Sequence, residues 1–80
     1  MTKAGFETAI RAFLRRRPFR PCAIELLSGT VLHVTHPEAI RVRDGIAHHV
    51  IAEDPERNFV FDHASVSMVY DEETDEQRGQ

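Results

Sequence analysis

The sequence has no tryptophan, one tyrosine, one cysteine and only four glycines. Each scarcity excludes something. A single cysteine, Cys22, rules out an internal disulfide and a thiolate zinc cluster, so folding has to rest on apolar burial. Cys22 itself reads as a small buried hydrophobe. No apolar run approaches the roughly 18 residues of a membrane span, so no membrane partner is expected. Behind Lys3 the segment Gly5-Phe6-Glu7 lacks the apolar stretch and small-residue cleavage site of a secretory leader, and the expected location is cytoplasmic. The glycine-rich phosphate loop and the nucleophile elbow are both missing, so neither an enzyme nor a cofactor is expected. Basic excess is missing too: a net charge of −3 argues against a generally phosphate-binding surface.

What is present reads as one small domain. Eighty residues suffice for a single compact unit with a small core. Phe6, Ile10, Phe13 and Leu14 recur at i, i+4, i+7 and i+8, which predicts a helix over 4–16 with one apolar stripe. On its other side Glu7, Arg11 and Arg15 follow one another at spacing four. Pro18 ends the helix, and Pro21 keeps the linker 17–21 extended. Cys22, Ile24 and Leu26 alternate with Ala23, Glu25 and Leu27, and Ser28-Gly29 links this run to Thr30–Thr35 as a hairpin. His36-Pro37-Glu38 reads as a bend, because proline cannot donate to a ladder. Strands are expected at 39–42 and 46–52 on either side of an Asp44-Gly45 turn. A polar loop follows at 53–57, then a strand at 58–61 with Phe59 and Phe61 on one side. Asp62-His63-Ala64 forms a sharp connection into a last strand in which Val66, Met68 and Tyr70 alternate with Ser65, Ser67 and Val69. The expected fold is therefore mainly β: an N-terminal α-helix, then a strongly bent five- to six-stranded antiparallel sheet or small barrel spanning 22–70. Residues 71–80 have no large apolar side chain and are expected to form a disordered acidic tail.

Charge is unevenly distributed. Arg11, Arg15, Arg16, Arg17 and Arg20 lie in a stretch without an acid, whereas Asp71 to Glu76 contains five acids and no base. With Phe19 the arginines make a basic patch able to meet phosphate and stack a base; equally, they are solvated charges that compensate the helix dipole. The five histidines, His33, His36, His48, His49 and His63, show no metal-ligand spacing, and adjacent His48 and His49 on a strand point to opposite faces. No metal site is expected. Asp62 reads as a turn residue that accepts from nearby backbone N–H groups.

Helix, short linker, apolar strand, X-Gly turn, strand, and an aromatic-X-His-Ala connection into the last strand is a layout that resembles Sm-like proteins, closest to the bacterial host-factor-Q (Hfq) branch. Phe6 to Arg17, Cys22 to Gly29 and Phe61 to Tyr70 carry the resemblance. Thr30 to Val60 is longer than in that branch, with Pro37 where the family has a continuous bent strand. The stretch Arg17-Pro18-Phe19-Arg20-Pro21, with Gly29 and His36-Pro37-Glu38, also resembles a group of short bacterial proteins of unknown function. The Sm resemblance implies a small Sm-like or SH3-like barrel that binds single-stranded RNA and assembles as a homo-oligomer, since ring formation is how that family satisfies the open edges of its last two strands. Carried onto this chain, it implies backbone contacts from Arg15, Arg16, Arg17 and Arg20, and a base pocket near Phe61 and His63. Asp62 stands where the family has a lysine, and a carboxylate there repels phosphate. The alternative reading is a protein-interaction or assembly module without nucleic-acid binding, which Asp62 favours and the arginine cluster opposes.

Overall fold

The computed structural model describes residues 1–50 and 58–72. Helix α1 (Lys3–Leu14) starts where the Thr2 hydroxyl accepts from the Gly5 N–H at 3.0 Å, satisfying one of the donors that a helix N-terminus leaves unpaired. It stops at Leu14, short of the 4–16 expected from sequence. Arg15 caps it in helical conformation with its N–H on Arg11 O at 3.0 Å, and the chain turns away at Arg16. The apolar stripe is as the spacing requires: Phe6 and Ile10 are fully buried, and Phe13 and Leu14 pack on the same cluster.

The strands are β1 (Cys22–Leu26), β2 (Val31–Val34), β3 (Ile40–Arg43), β4 (Ile46–Val50), β5 (Asn58–Asp62) and β6 (Val66–Asp71), with single 3₁₀ turns at Pro37–Ala39 and His63–Ser65. All pairings are antiparallel. They form two three-stranded sheets, ordered β2-β1-β6 and β3-β4-β5. The mainly β class with one N-terminal helix is therefore as expected, whereas the single bent sheet or closed barrel is not: among the described residues no ladder joins the two sheets. The reason lies at Pro37. Its 3₁₀ turn, closed by Ala39 N–H to His36 O at 3.0 Å, takes the chain out of extended conformation between β2 and β3, and proline has no N–H to carry a ladder across.

One core nevertheless serves both sheets. Phe6 and Ile10 of α1 meet Cys22, Ile24, Leu26, Val34 and Val66 of the first sheet and Ile40, Ala47 and Phe61 of the second. The Phe6 and Phe61 rings meet edge to face with centroids 6.1 Å apart, a favoured aromatic geometry. Two turns set the registers. Asp44 and Gly45 have φ of 52° and 79°, the left-handed pair that matches the twist of a two-residue hairpin. Between Glu25 and Leu26 the β1–β6 register shifts, so that Leu26 faces Val66 and Glu25 faces Met68. This bulge leaves Ser67 unpaired and reverses the alternation beyond it. Val69 packs on the core and Met68 is exposed, contrary to the simple Val66-Met68-Tyr70 alternation read from sequence. The strand also runs through Asp71, so the first residue assigned to the acidic tail belongs to β6. The polar loop expected at 53–57, the last two residues of the strand expected to reach Ala52, and tail residues 73–80 lie outside the described residues.

Candidate functional site

The arginines at the end of α1 are not equivalent. Arg16 Nη1 donates to Asp71 Oδ2 at 2.7 Å, its Nη2 donates to Arg20 O at 3.0 Å, and its guanidinium lies 4.7 Å above the Phe13 ring. It ties the helix end, the linker and the end of β6 together. Arg20 Nη2 stands 3.8 Å from the same carboxylate. Arg17 Nη1 donates to Arg16 O at 3.1 Å and, more weakly, to Leu14 O at 3.4 Å. Arg15 is exposed and has no side-chain partner among the described residues. Arg11 pairs with Glu7 at 3.2 Å, the i,i+4 contact its spacing implies, while the other Glu7 oxygen accepts the Gly45 N–H at 2.7 Å. Of the cations read as a phosphate patch, Arg15 and Arg17 therefore remain open to solvent, and Arg16 and Arg20 share Asp71.

Phe61 and His63 lie apart from that cluster. The Phe61 ring is buried against Phe6. The His63 ring lies against the Gly45 backbone, so close that a Cβ on residue 45 would stand 2.7 Å from Cδ2. Its Nδ1 is 2.8 Å from Met1 O, and because a carbonyl only accepts, Nδ1 carries the hydrogen. The His63 backbone N–H donates to Gly45 O at 2.8 Å. Asp62 does what a turn residue does: its Oδ1 accepts from the Ser65 N–H at 3.1 Å and from the Ser65 hydroxyl at 3.3 Å, closing the 3₁₀ turn.

The other histidines divide as strand alternation requires. His48 is exposed and His49 buried. His49 Nε2 donates to His33 O at 3.0 Å, which leaves its buried Nδ1 without a partner among the described residues. His33 Nδ1 in turn contacts the Glu72 carboxylate. No three His, Cys, Asp or Glu side chains converge as a metal-binding group among the described residues. Burial pushes the Cys22 thiol up to about 11, with a smaller opposing effect from Arg16 and further raising by Glu72 and Asp71. The thiol stays protonated near neutral pH, and a protonated thiol is a weak nucleophile.

Two surfaces were missed by sequence reasoning. The first is an open groove of about 680 Å³ whose lining includes Leu27, Ile46, Phe59, Val60 and Phe61. Leu27 is 72% exposed, Val60 60%, Ile46 48% and Phe59 40%, so several apolar side chains meet solvent along it. The second is the outer face of the β3-β4-β5 sheet. Register places Arg41 opposite His48 and His48 opposite Val60 in one row, and Arg43 opposite Ile46 and Ile46 opposite Asp62 in the next. All six of these residues are exposed. The available signal was the alternation Ile40-Arg41-Val42-Arg43, which sends both arginines to one face.

Among the described residues no helix is long and apolar enough to cross a membrane. Comparison of the chain with models of protein families, with characterised proteins and with solved structures finds no match.

Proposed function

We propose that this domain is a non-catalytic assembly module of Sm-like layout, which covers its open strand edges with further copies of itself. The observation that carries the reading is the position of β5 and β6. Each pairs on one side only among the described residues, and each carries exposed apolar side chains: Phe59 and Val60 on β5, Met68 on β6. An open edge flanked by apolar surface is an aggregation hazard unless another strand covers it. Pairing β5 of one copy with β6 of the next repeats head to tail and stops only when the rotation closes a ring. The strand order supports the Sm-like layout as well. Joined across the Pro37 turn, β2 and β3 would complete a single order β6-β1-β2/β3-β4-β5, with the last two strands of the chain at its two edges.

Single-stranded RNA binding is the second reading, favoured by Arg15 and Arg17, two solvent-facing cations at one helix end. It ranks lower because Arg16 and Arg20 share Asp71, Phe61 is buried, and Asp62 adds a negative charge beside His63. Sedimentation at tens of micromolar tests the assembly. A closed homo-oligomer is the expected result, and a monomer removes the proposal. Undetectable binding to mixed single-stranded RNA at low salt would remove the second reading.

A further inference from the structure

The outer face of the second sheet carries charges that no contact among the described residues uses. Arg41 and Arg43 project from one side of β3, and neither has an ion-pair or hydrogen-bond partner among the described residues. His48 stands beside Arg41 across the ladder, and the same two rows continue into Ile46 and Val60. The only acid in those rows is Asp62, two strands away from Arg43 and engaged with Ser65. The face is thus cationic on the β3 side, with Ile46 and Val60 beyond it and Asp62 at its far corner.

From this arrangement we infer that the outer β3–β4 face docks an extended acidic polypeptide segment. Charge complementarity supplies the first argument: a guanidinium presents a planar fork that matches a carboxylate in two hydrogen bonds. Register supplies the second. Side chains two residues apart on a strand are separated by about 6.6–6.8 Å, which is also the repeat on one side of any other extended polypeptide. Aspartate or glutamate at alternate positions would therefore meet both arginines together. The face suits a nucleic acid less well. Its six outward residues include a single ring, His48, whereas a run of bases needs several rings to stack on.

The test uses the full chain and two labelled probes at low salt, acetylated and amidated hexaglutamate and a mixed-sequence single-stranded RNA dodecamer. Amide shift perturbation locates the contact, and fluorescence anisotropy gives the affinity. Hexaglutamate is expected to bind saturably and to perturb β3 and β4. Replacing Arg41→Gln together with Arg43→Gln should weaken it at least tenfold. Replacing Arg15→Gln with Arg17→Gln, which removes the same charge from the helix end, should change it less than twofold. Arg41→Lys with Arg43→Lys keeps the charge and the fold but loses the fork, and should cost at least threefold. Equal losses from the two glutamine pairs, an unaffected lysine variant, no saturable peptide binding, or RNA that displaces the peptide from β3 would each overturn the inference.

Discussion

The two sheets have the same number of strands and share one core, yet they treat their surfaces in opposite ways. In the first, β1 is buried at Cys22, Ala23, Ile24 and Leu26, and around its start Arg16 pairs with Asp71 while His33 contacts Glu72. In the second, β4 alternates between exposed Ile46 and His48 and buried Ala47 and His49, and the arginines beside it have no ion-pair partner among the described residues. The difference separates framework from display. A central strand covered on both faces can only hold the fold, whereas a half-covered sheet has side chains to offer another molecule.

The largest effect should come from the residue that both sheets depend on. Phe6→Ala removes a fully buried ring that touches Phe61 and should cost about 3–5 kcal/mol. Urea denaturation would measure it, and a loss under about 1 kcal/mol would show that the sheets do not share a core. Next comes Gly45→Ala, which forces a side chain into φ +79° and toward the His63 ring. A loss of about 1–3 kcal/mol is expected from strain of that kind.

Charge substitutions sharpen the contrast directly. Asp71→Asn leaves the partly buried Arg16 guanidinium with a neutral partner, and the loss of a charged hydrogen bond is expected to cost about 1–2 kcal/mol. Arg43→Gln, on the display face, should change stability by less than about 0.5 kcal/mol. If thermal unfolding shows equal effects for the two, the division between framework and display fails.

A further contrast concerns Cys22 and pH. Its thiol titrates near 11 in the folded chain against an ordinary value of 9.0, so the folded state holds the proton more tightly. The corresponding stability is complete below pH 9 and is lost as the pH rises toward 11. Unfolding midpoints should therefore fall over that window in the parent and fall less in Cys22→Ala, once the shared alkaline titration of other groups is subtracted. At pH 8 the folded chain should react with an aromatic disulfide far more slowly than the urea-unfolded chain; equal rates would place the thiol at the surface.

Much of this was legible in the sequence because it follows from local periodicity. The Phe6-Ile10-Phe13-Leu14 stripe, the Cys22-Ile24-Leu26 alternation, the Asp44-Gly45 turn and the Asp62 cap each depend on a few neighbouring residues and the φ/ψ they permit. The separation of His48 from His49 does too. The site was less legible, because residues adjacent in type were not adjacent in use. Arg15, Arg16 and Arg17 read as one patch until Asp71, 55 residues away from Arg16, takes one of them. Phe61 and His63 lie two apart on the chain, yet the 3₁₀ turn that begins at His63 sends one ring into the core and the other to Gly45.

The sequence by itself determined the elements: one amphipathic helix, short strands, and turns at the positions where glycine, proline and aspartate permit them. Their physics is local. Only the tertiary structure decided how the strands divide into two sheets, since ladder formation across the Pro37 turn is a long-range matter that no residue pattern specifies. It also decided which face of β6 meets the core. The bulge opposite Glu25 and Leu26 turns Met68 outward and Val69 inward, and a bulge is a mismatch between two strands, so neither strand carries its signature alone. The same reason holds for charge: whether an arginine braces the fold depends on whether folding brings a carboxylate to it, as it does for Arg16 and, among the described residues, does not for Arg41 and Arg43.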